Sequence, residues 1–128
     1  MSSLRVLQID DEPDILDIVA ASLSLDPEFD VRSCNSGAHG LAAAAKWRPD
    51  LILLDVMMPV MDGPATLKHL QEDARTAGIP VVFMTARAQT RELDHFKSLG
   101  AAGVIVKPFD PMTLAASLRS QMRPANAG

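Results

Sequence analysis

Four short apolar runs in this 128-residue chain are each followed at once by residues able to do chemistry. Asp10, Asp11 and Glu12 follow Val6-Leu7-Gln8-Ile9, and Asp55 follows Leu51-Ile52-Leu53-Leu54. Thr85 follows Val81-Val82-Phe83-Met84, and Lys107 with Pro108 follows Val104-Ile105-Val106. If these residues meet, the three aspartates against one ammonium leave two negative charges, which a single divalent cation would cancel. Hard oxygen ligands at an open site favour magnesium, which keeps several waters and is often completed by a phosphate. The same set suits phosphoryl transfer, which needs an aligned nucleophile and neutralisation of oxygen charge. Asp55 can be the nucleophile, since carboxylates form aspartyl phosphates. The Lys107 ammonium and the Thr85 hydroxyl would each meet a phosphoryl oxygen.

Taken singly, each residue has a plainer reading. An Asp before a proline-led helix is an N-cap, and an Asp after a strand is a turn residue. Thr85 alone would be another N-cap and Lys107 a solvated lysine. Three consecutive acids exceed what one cap uses. Coincidence of all four features behind four separate apolar runs is the signal.

Those runs must therefore be strands that end at one edge. Val6–Ile9 reads as the first strand, followed after Pro13 by a helix with Ile15, Val19 and Leu23 on one face. Phe29, Val31 and Ser33 alternate with Asp30 and Arg32, so the second strand reads as half exposed. A helical stripe of Ala38, Leu41, Ala42 and Ala45 follows, closed by Pro49. Leu51–Leu54 is unbroken apolar sequence, as expected of a strand covered on both faces. Gly63 to Arg75 predicts a helix with Leu67, Leu70 and Ala74 inward, ended by Gly78. Val81–Met84 is the fourth strand, and a helix through Leu93 and Phe96 closes at Gly100. After Val104–Val106, Pro111 opens a last helix carrying Ala115, Leu118 and Met122. Five β–α pairs in strict alternation predict an α/β fold with a parallel five-stranded sheet between helices. An edge-like second strand beside buried first, third and fourth strands predicts the doubly wound order 2-1-3-4-5. That order makes strands 1, 3, 4 and 5 neighbours and brings Asp10, Asp11, Asp55, Thr85 and Lys107 together.

Composition narrows the alternatives. The chain is 48% apolar and 22% charged, enough to bury one core and too short for separate substrate and cofactor lobes. Its formal charge of −4 comes with scattered basic residues, against a nucleic-acid-binding stripe. One cysteine, Cys34, rules out an internal disulfide and points to a reducing compartment. No apolar run approaches the roughly 20 residues needed to cross a bilayer, and the first residues lack a signal-peptide pattern. The expected localisation is cytoplasmic, with one domain over 1–123 and a frayed tail at 124–128.

The chain resembles the receiver domain of two-component response regulators. The matching stretches are Val6–Glu12, Leu53–Gly63 (Leu-Leu-Asp-Val-Met-Met-Pro-Val-Met-Asp-Gly), Met84-Thr85-Ala86 and Val106-Lys107-Pro108-Phe109. They stand in family order and spacing, and the likeness covers about residues 4 to 122. The resemblance implies a flavodoxin-like (βα)5 fold and a phosphorylation-dependent switch or relay rather than a turnover enzyme. Asp55 would accept a phosphoryl group from a phosphohistidine on a sensor histidine kinase or histidine phosphotransfer protein, then lose it by autodephosphorylation. Mg2+ would be held by Asp11, Asp55 and the backbone carbonyl of Met57, with Asp10 acting mainly through a metal-bound water. Thr85 and Lys107 would bind the phosphoryl oxygens. Arg87 and Met57, two residues after Thr85 and Asp55, would tune the lifetime of the aspartyl phosphate. Lys107-Pro108 becomes a candidate cis peptide, and Gly63 permits the turn into the third helix.

Two departures stand out. Family members commonly carry an aromatic residue three positions before the lysine, where this chain has Val104, and it contains no tyrosine. Any output switch must then use backbone or loop shifts, or else the protein mainly relays phosphate. The stretch Met112–Leu118 is uncharged, so the ion pairs of DNA-binding dimers are missing there. The expectation is a stand-alone, chemotaxis-regulator-like protein, monomer or weak dimer, acting on a downstream protein target without direct nucleic-acid or membrane contact. The alternative is the receiver part of a larger response regulator or hybrid kinase. A haloacid-dehalogenase-like phosphatase would place Asp-x-Asp after the first strand, and a nucleotide binder would carry a glycine-rich loop there; neither is present. The isolated His39, His69 and His95 read as solvated or partly buried, and Trp47 and Phe96 as packing residues. Met57, Met58 and Met61 read as loop filling or an adaptable partner surface.

Overall fold

Apolar runs long enough for a strand but too short for a helix alternate with helical segments, and each becomes the element its pattern predicts. A computed structural model describes residues 3–87 and 89–122; the tail predicted at 124–128 lies outside them. The strands are β1 (Leu4–Ile9), β2 (Phe29–Cys34), β3 (Leu51–Asp55), β4 (Val81–Thr85) and β5 (Gly103–Val106). The helices are α1 (Pro13–Leu23), α2 (Gly37–Trp47), α3 (Gly63–Glu72), α4 (Thr90–Ser98) and α5 (Leu114–Met122). All strand pairings are parallel, in the order β2-β1-β3-β4-β5. The predicted doubly wound fold is the observed one.

Side chains alternate across a strand, so each buried strand feeds two cores. Leu7, Ile9, Ile52, Leu54, Val81 and Phe83 pack with Ala44, Trp47, Leu67, Leu70 and Phe96 from α2, α3 and α4. Val6, Leu51, Leu53, Val82 and Met84 face the other way, against Val19 and Leu23 of α1 and Leu114 and Leu118 of α5. β3 and β4 are buried along their whole length, and β2 is half exposed, as its alternation predicts. Trp47 is a packing residue, with the Arg32 guanidinium 4.4 Å above its ring and Arg5 Nη1 donating to its carbonyl at 2.8 Å. α1 is tied to the turn before α5 by the Ser22 hydroxyl, which donates to Pro111 O. Arg119 adds bonds to Asp26 at 2.7 Å and to Glu28.

Three local expectations are corrected. Ala38 and Ala42 of α2 face solvent, and the inward face is Gly37, Gly40, Ala44 and Trp47. An Ala/Gly-rich helix offers little hydropathy contrast, and the deciding contact is close approach to the sheet. A Cβ on Gly40 would sit 2.8 Å from Ile9 Cγ1 and closer still to Cδ1. α3 ends at Glu72 rather than Arg75, because Asp73 turns the chain by bonding its carboxylate to Arg75 N at 2.9 Å; Ala74 is exposed. Pro111 opens a turn rather than the last helix. Asp110 caps it, accepting from Met112 N at 2.9 Å, and α5 starts only at Leu114.

Candidate functional site

The parallel register sets the site. Asp55 pairs across from Met84, Thr85 from Val106, and Ile9 from Leu54, so residues ending β1, β3, β4 and β5 emerge side by side. Backbone bonds from Val56 N to Met84 O (3.0 Å) and from Lys107 N to Thr85 O (2.7 Å) continue the ladder one step past the strands. The loops are thereby held rigid where they leave the sheet. Gly63 serves the site by leaving room rather than by unusual conformation: a Cβ there would lie 2.6 Å from Asp55 O and 2.8 Å from the Val56 Cα. Its N–H donates to Val56 O at 2.8 Å and closes the loop from 56 to 63. The Lys107–Pro108 peptide is cis.

Asp10, Asp11 and Asp55 each offer a carboxylate oxygen, and these lie within 4.8 Å of one another. Asp10 and Asp55 are buried and Asp11 is half-buried. Lys107 Nζ donates to Asp55 Oδ1 at 2.9 Å and stands 3.6 Å from Asp10 Oδ2. It also stands 3.7 Å from Glu12 Oε1. The Lys107–Glu12 contact was not anticipated, although Glu12 lies beside Asp11 in sequence. Asp10 Oδ1 accepts from Glu12 N at 2.9 Å, which turns the chain into α1 and fixes the carboxylate. Thr85 is buried, and its hydroxyl oxygen accepts from Arg87 N at 3.0 Å, with no acceptor for its own proton among the described residues. Met57 is 70% exposed and Met58 8% exposed, so only Met58 of this pair fills the loop from beneath.

Crowded, partly desolvated carboxylates resist ionisation. Burial pushes the Asp55 carboxyl up to about 6, held back by the Lys107 hydrogen bond and pushed further by the Asp10 charge. Burial also raises Asp10, against the Glu12 backbone bond and the Lys107 charge. At Lys107 burial favours the neutral amine, but the bond to Asp55 and the charges of Asp10, Asp55 and Glu12 outweigh it, and its pKa is raised. The hard-oxygen donor set, with its surplus of negative charge, fits a magnesium ion. The exposed His39, His69 and His95 take no part, and no other cluster of metal-ligating side chains occurs among the described residues. No helix among them is long and apolar enough to cross a membrane.

Comparison with known proteins gives the family and the fold. Residues 6–119 match the family described as the response regulator receiver domain. The chain is 39% identical over 119 residues to the DNA-binding dual master transcriptional regulator RpaA of Synechocystis, covering 93% of this chain and 49% of the relative. It is 34% identical to the DNA-binding response regulator MtrA of Mycolicibacterium smegmatis, covering 93% and 50%. The chain thus spans about half the length of the curated relatives it matches. Among solved structures, the chemotaxis response regulator CheY4 of Vibrio cholerae superposes with a TM-score of 0.86 at 32% identity, covering 94% of this chain and 99% of that one.

Proposed function

The chain belongs to the response regulator receiver-domain family, and from that premise we propose that it is a phosphorylation-dependent switch or relay module with Asp55 as phosphoryl acceptor. The observation that carries this is the convergence of Asp55, Lys107, Thr85, Asp10 and Asp11 at one sheet edge, with Lys107 Nζ 2.9 Å from Asp55 Oδ1. An ionised Asp55 oxygen attacks the phosphorus of a phosphohistidine. The P–N bond breaks as the P–O bond forms, and the imidazole leaves with the electron pair. Lys107 then turns from Asp55 to a phosphoryl oxygen, and the Thr85 hydroxyl donates its proton to another. Hydrolysis returns the carboxylate and releases inorganic phosphate. By the family likeness, Arg87 and Met57 would tune how long the acyl phosphate lasts.

Asp11, Asp55 and the Met57 carbonyl would hold magnesium, with Asp10 reached through a water. When bound, the ion offsets charge on the carboxylate and phosphoryl oxygens. The donor would be a sensor histidine kinase or a histidine phosphotransfer protein, and the output a contact with another protein, in the cytoplasm. Residues 1–123 form the receiver unit. The half-length coverage of RpaA and MtrA favours a second reading, in which this unit is the receiver part of a longer regulator. The intact mass of the native gene product separates the two.

Incubation with acetyl phosphate and magnesium tests the acceptor directly. Wild type should gain an alkali-labile, hydroxylamine-labile phosphoryl group, and Asp55→Asn should not. Equal incorporation into the variant would overturn the assignment.

A further inference from the structure

β2 lies at one edge of the sheet and pairs with β1 alone. Leu4 N donates to Glu28 O and Asp10 N to Cys34 O, so the even-numbered residues of this stretch turn their backbone groups toward β1. Backbone direction alternates along a strand, so those of Phe29, Val31 and Ser33 point outward. The Phe29 N–H is taken by Asp26 O in the preceding turn. Among the described residues, the Val31 and Ser33 N–H groups and the Phe29 and Val31 carbonyls have no partner. Such an edge is a template for another strand, and its charges decide which strand can use it. Here the charges are Asp30 and Arg32, both exposed and on the same face of the sheet. Arg32 is already ordered, with its guanidinium 4.4 Å over the Trp47 ring, so it loses little freedom on meeting a carboxylate.

We propose that β2 pairs with β2 of a second copy of this chain, antiparallel about a two-fold axis through Val31, joining two sheets into one. An antiparallel ladder sets outward-facing residues opposite one another, so the axis passes through a residue rather than between two. At Asp30 or at Arg32 it would set like charges face to face. At Val31 it sets Asp30 of each copy opposite Arg32 of the other. In that register the Val31 N–H of each copy meets Val31 O of the other, and the Ser33 N–H meets Phe29 O. The pairing does not depend on the phosphoryl chemistry. A strand of 6 residues is a small contact, below the roughly 800 Å2 per partner of a stable interface. The dimer is therefore weak, with a dissociation constant on the order of 100 μM to 1 mM.

Charge exchange tests the pairing. Sedimentation equilibrium of the full chain up to about 1 mM should show reversible dimers of wild type. Asp30→Arg sets arginine against arginine and Arg32→Asp sets aspartate against aspartate, so either variant alone should dimerise about tenfold more weakly. Mixed in equal amounts, the two should associate again, because every facing pair is then of opposite charge. A cross-link reads the register without altering charge. In a Cys34→Ser background, Val31→Cys lies on the axis and should form an intermolecular disulfide on mild oxidation, since facing Cα atoms of a hydrogen-bonded pair stand about 5.5 Å apart. Ser33→Cys, which faces Phe29 of the other copy, should not. The pairing is overturned if wild type stays monomeric at that concentration, if the mixed charge variants fail to associate, or if Ser33→Cys cross-links as readily as Val31→Cys.

Discussion

Lys107 Nζ hydrogen-bonds Asp55 Oδ1 at 2.9 Å across fifty-two residues of chain, and the same ammonium stands within 4 Å of Asp10 and Glu12. One cation therefore balances a cluster of carboxylates, two of them buried, so the site holds together on its own yet stays under-neutralised.

Removing that cation should be costly. Lys107→Ala should lower the stability of the magnesium-free protein by about 1–3 kcal/mol, below the full cost of breaking a wholly buried pair because solvent reaches the ammonium. Urea denaturation measures it, and magnesium should recover part of the loss. Phosphorylation by acetyl phosphate should slow about 100-fold, the usual effect of losing one charge-stabilising donor.

The pH dependence should run opposite to ordinary acid denaturation. Asp55 takes up a proton near pH 6 in the folded, magnesium-free protein but near 3.8 once unfolded. Between those values the folded state binds more protons, so stability rises as pH falls from about 7 to about 5. Asp55→Asn should flatten this slope and stabilise the metal-free protein near neutral pH by at most about 3 kcal/mol. Urea midpoints across that range would show either the rise or its absence.

Magnesium should raise the melting temperature of wild type. A tenfold excess over the dissociation constant stabilises by about 1.4 kcal/mol. Asp11→Ala should remove most of that increment while leaving the magnesium-free melt close to wild type, since Asp11 is only half-buried. The increment should also fade as pH drops through about 6, because protons then compete for the carboxylates. Thermal melts with and without the ion decide the matter.

Gly40→Ala should destabilise the fold by about 1 kcal/mol, because overpacking against the fully buried Ile9 exceeds the gain in helix propensity. Ile9→Val removes the nearest atom, so the double variant should be more stable than the two single effects predict. Gly78→Ala, with open space around it, should change stability by less than about 0.5 kcal/mol. Chemical denaturation of the four proteins completes the cycle.

Most of the architecture was legible because a strand covered on both faces must be apolar throughout. Leu51–Leu54 and Val81–Met84 announce their place in the sheet without any knowledge of their neighbours. The edge position of β2 showed in its alternation for the same reason. The inward face of α2 did not show, because alanine and glycine barely differ in hydropathy and only the proximity of Ile9 reveals Gly40 as buried. Likewise the start of α5 depends on the Asp110 turn, which competes locally with the helix that Pro111 could have opened.

The site divides along the same line. Which residues could do the chemistry, and that they stand at strand ends, followed from residue type and order, since these are local properties of the chain. How they pair is a property of strand register and loop path. The reach of Lys107 to Glu12 and the Arg87 link from Thr85 to Glu92 were decided only when separate segments were brought within hydrogen-bonding distance. Direct contacts between charged groups act over a few ångströms, and only the folded chain sets distances on that scale.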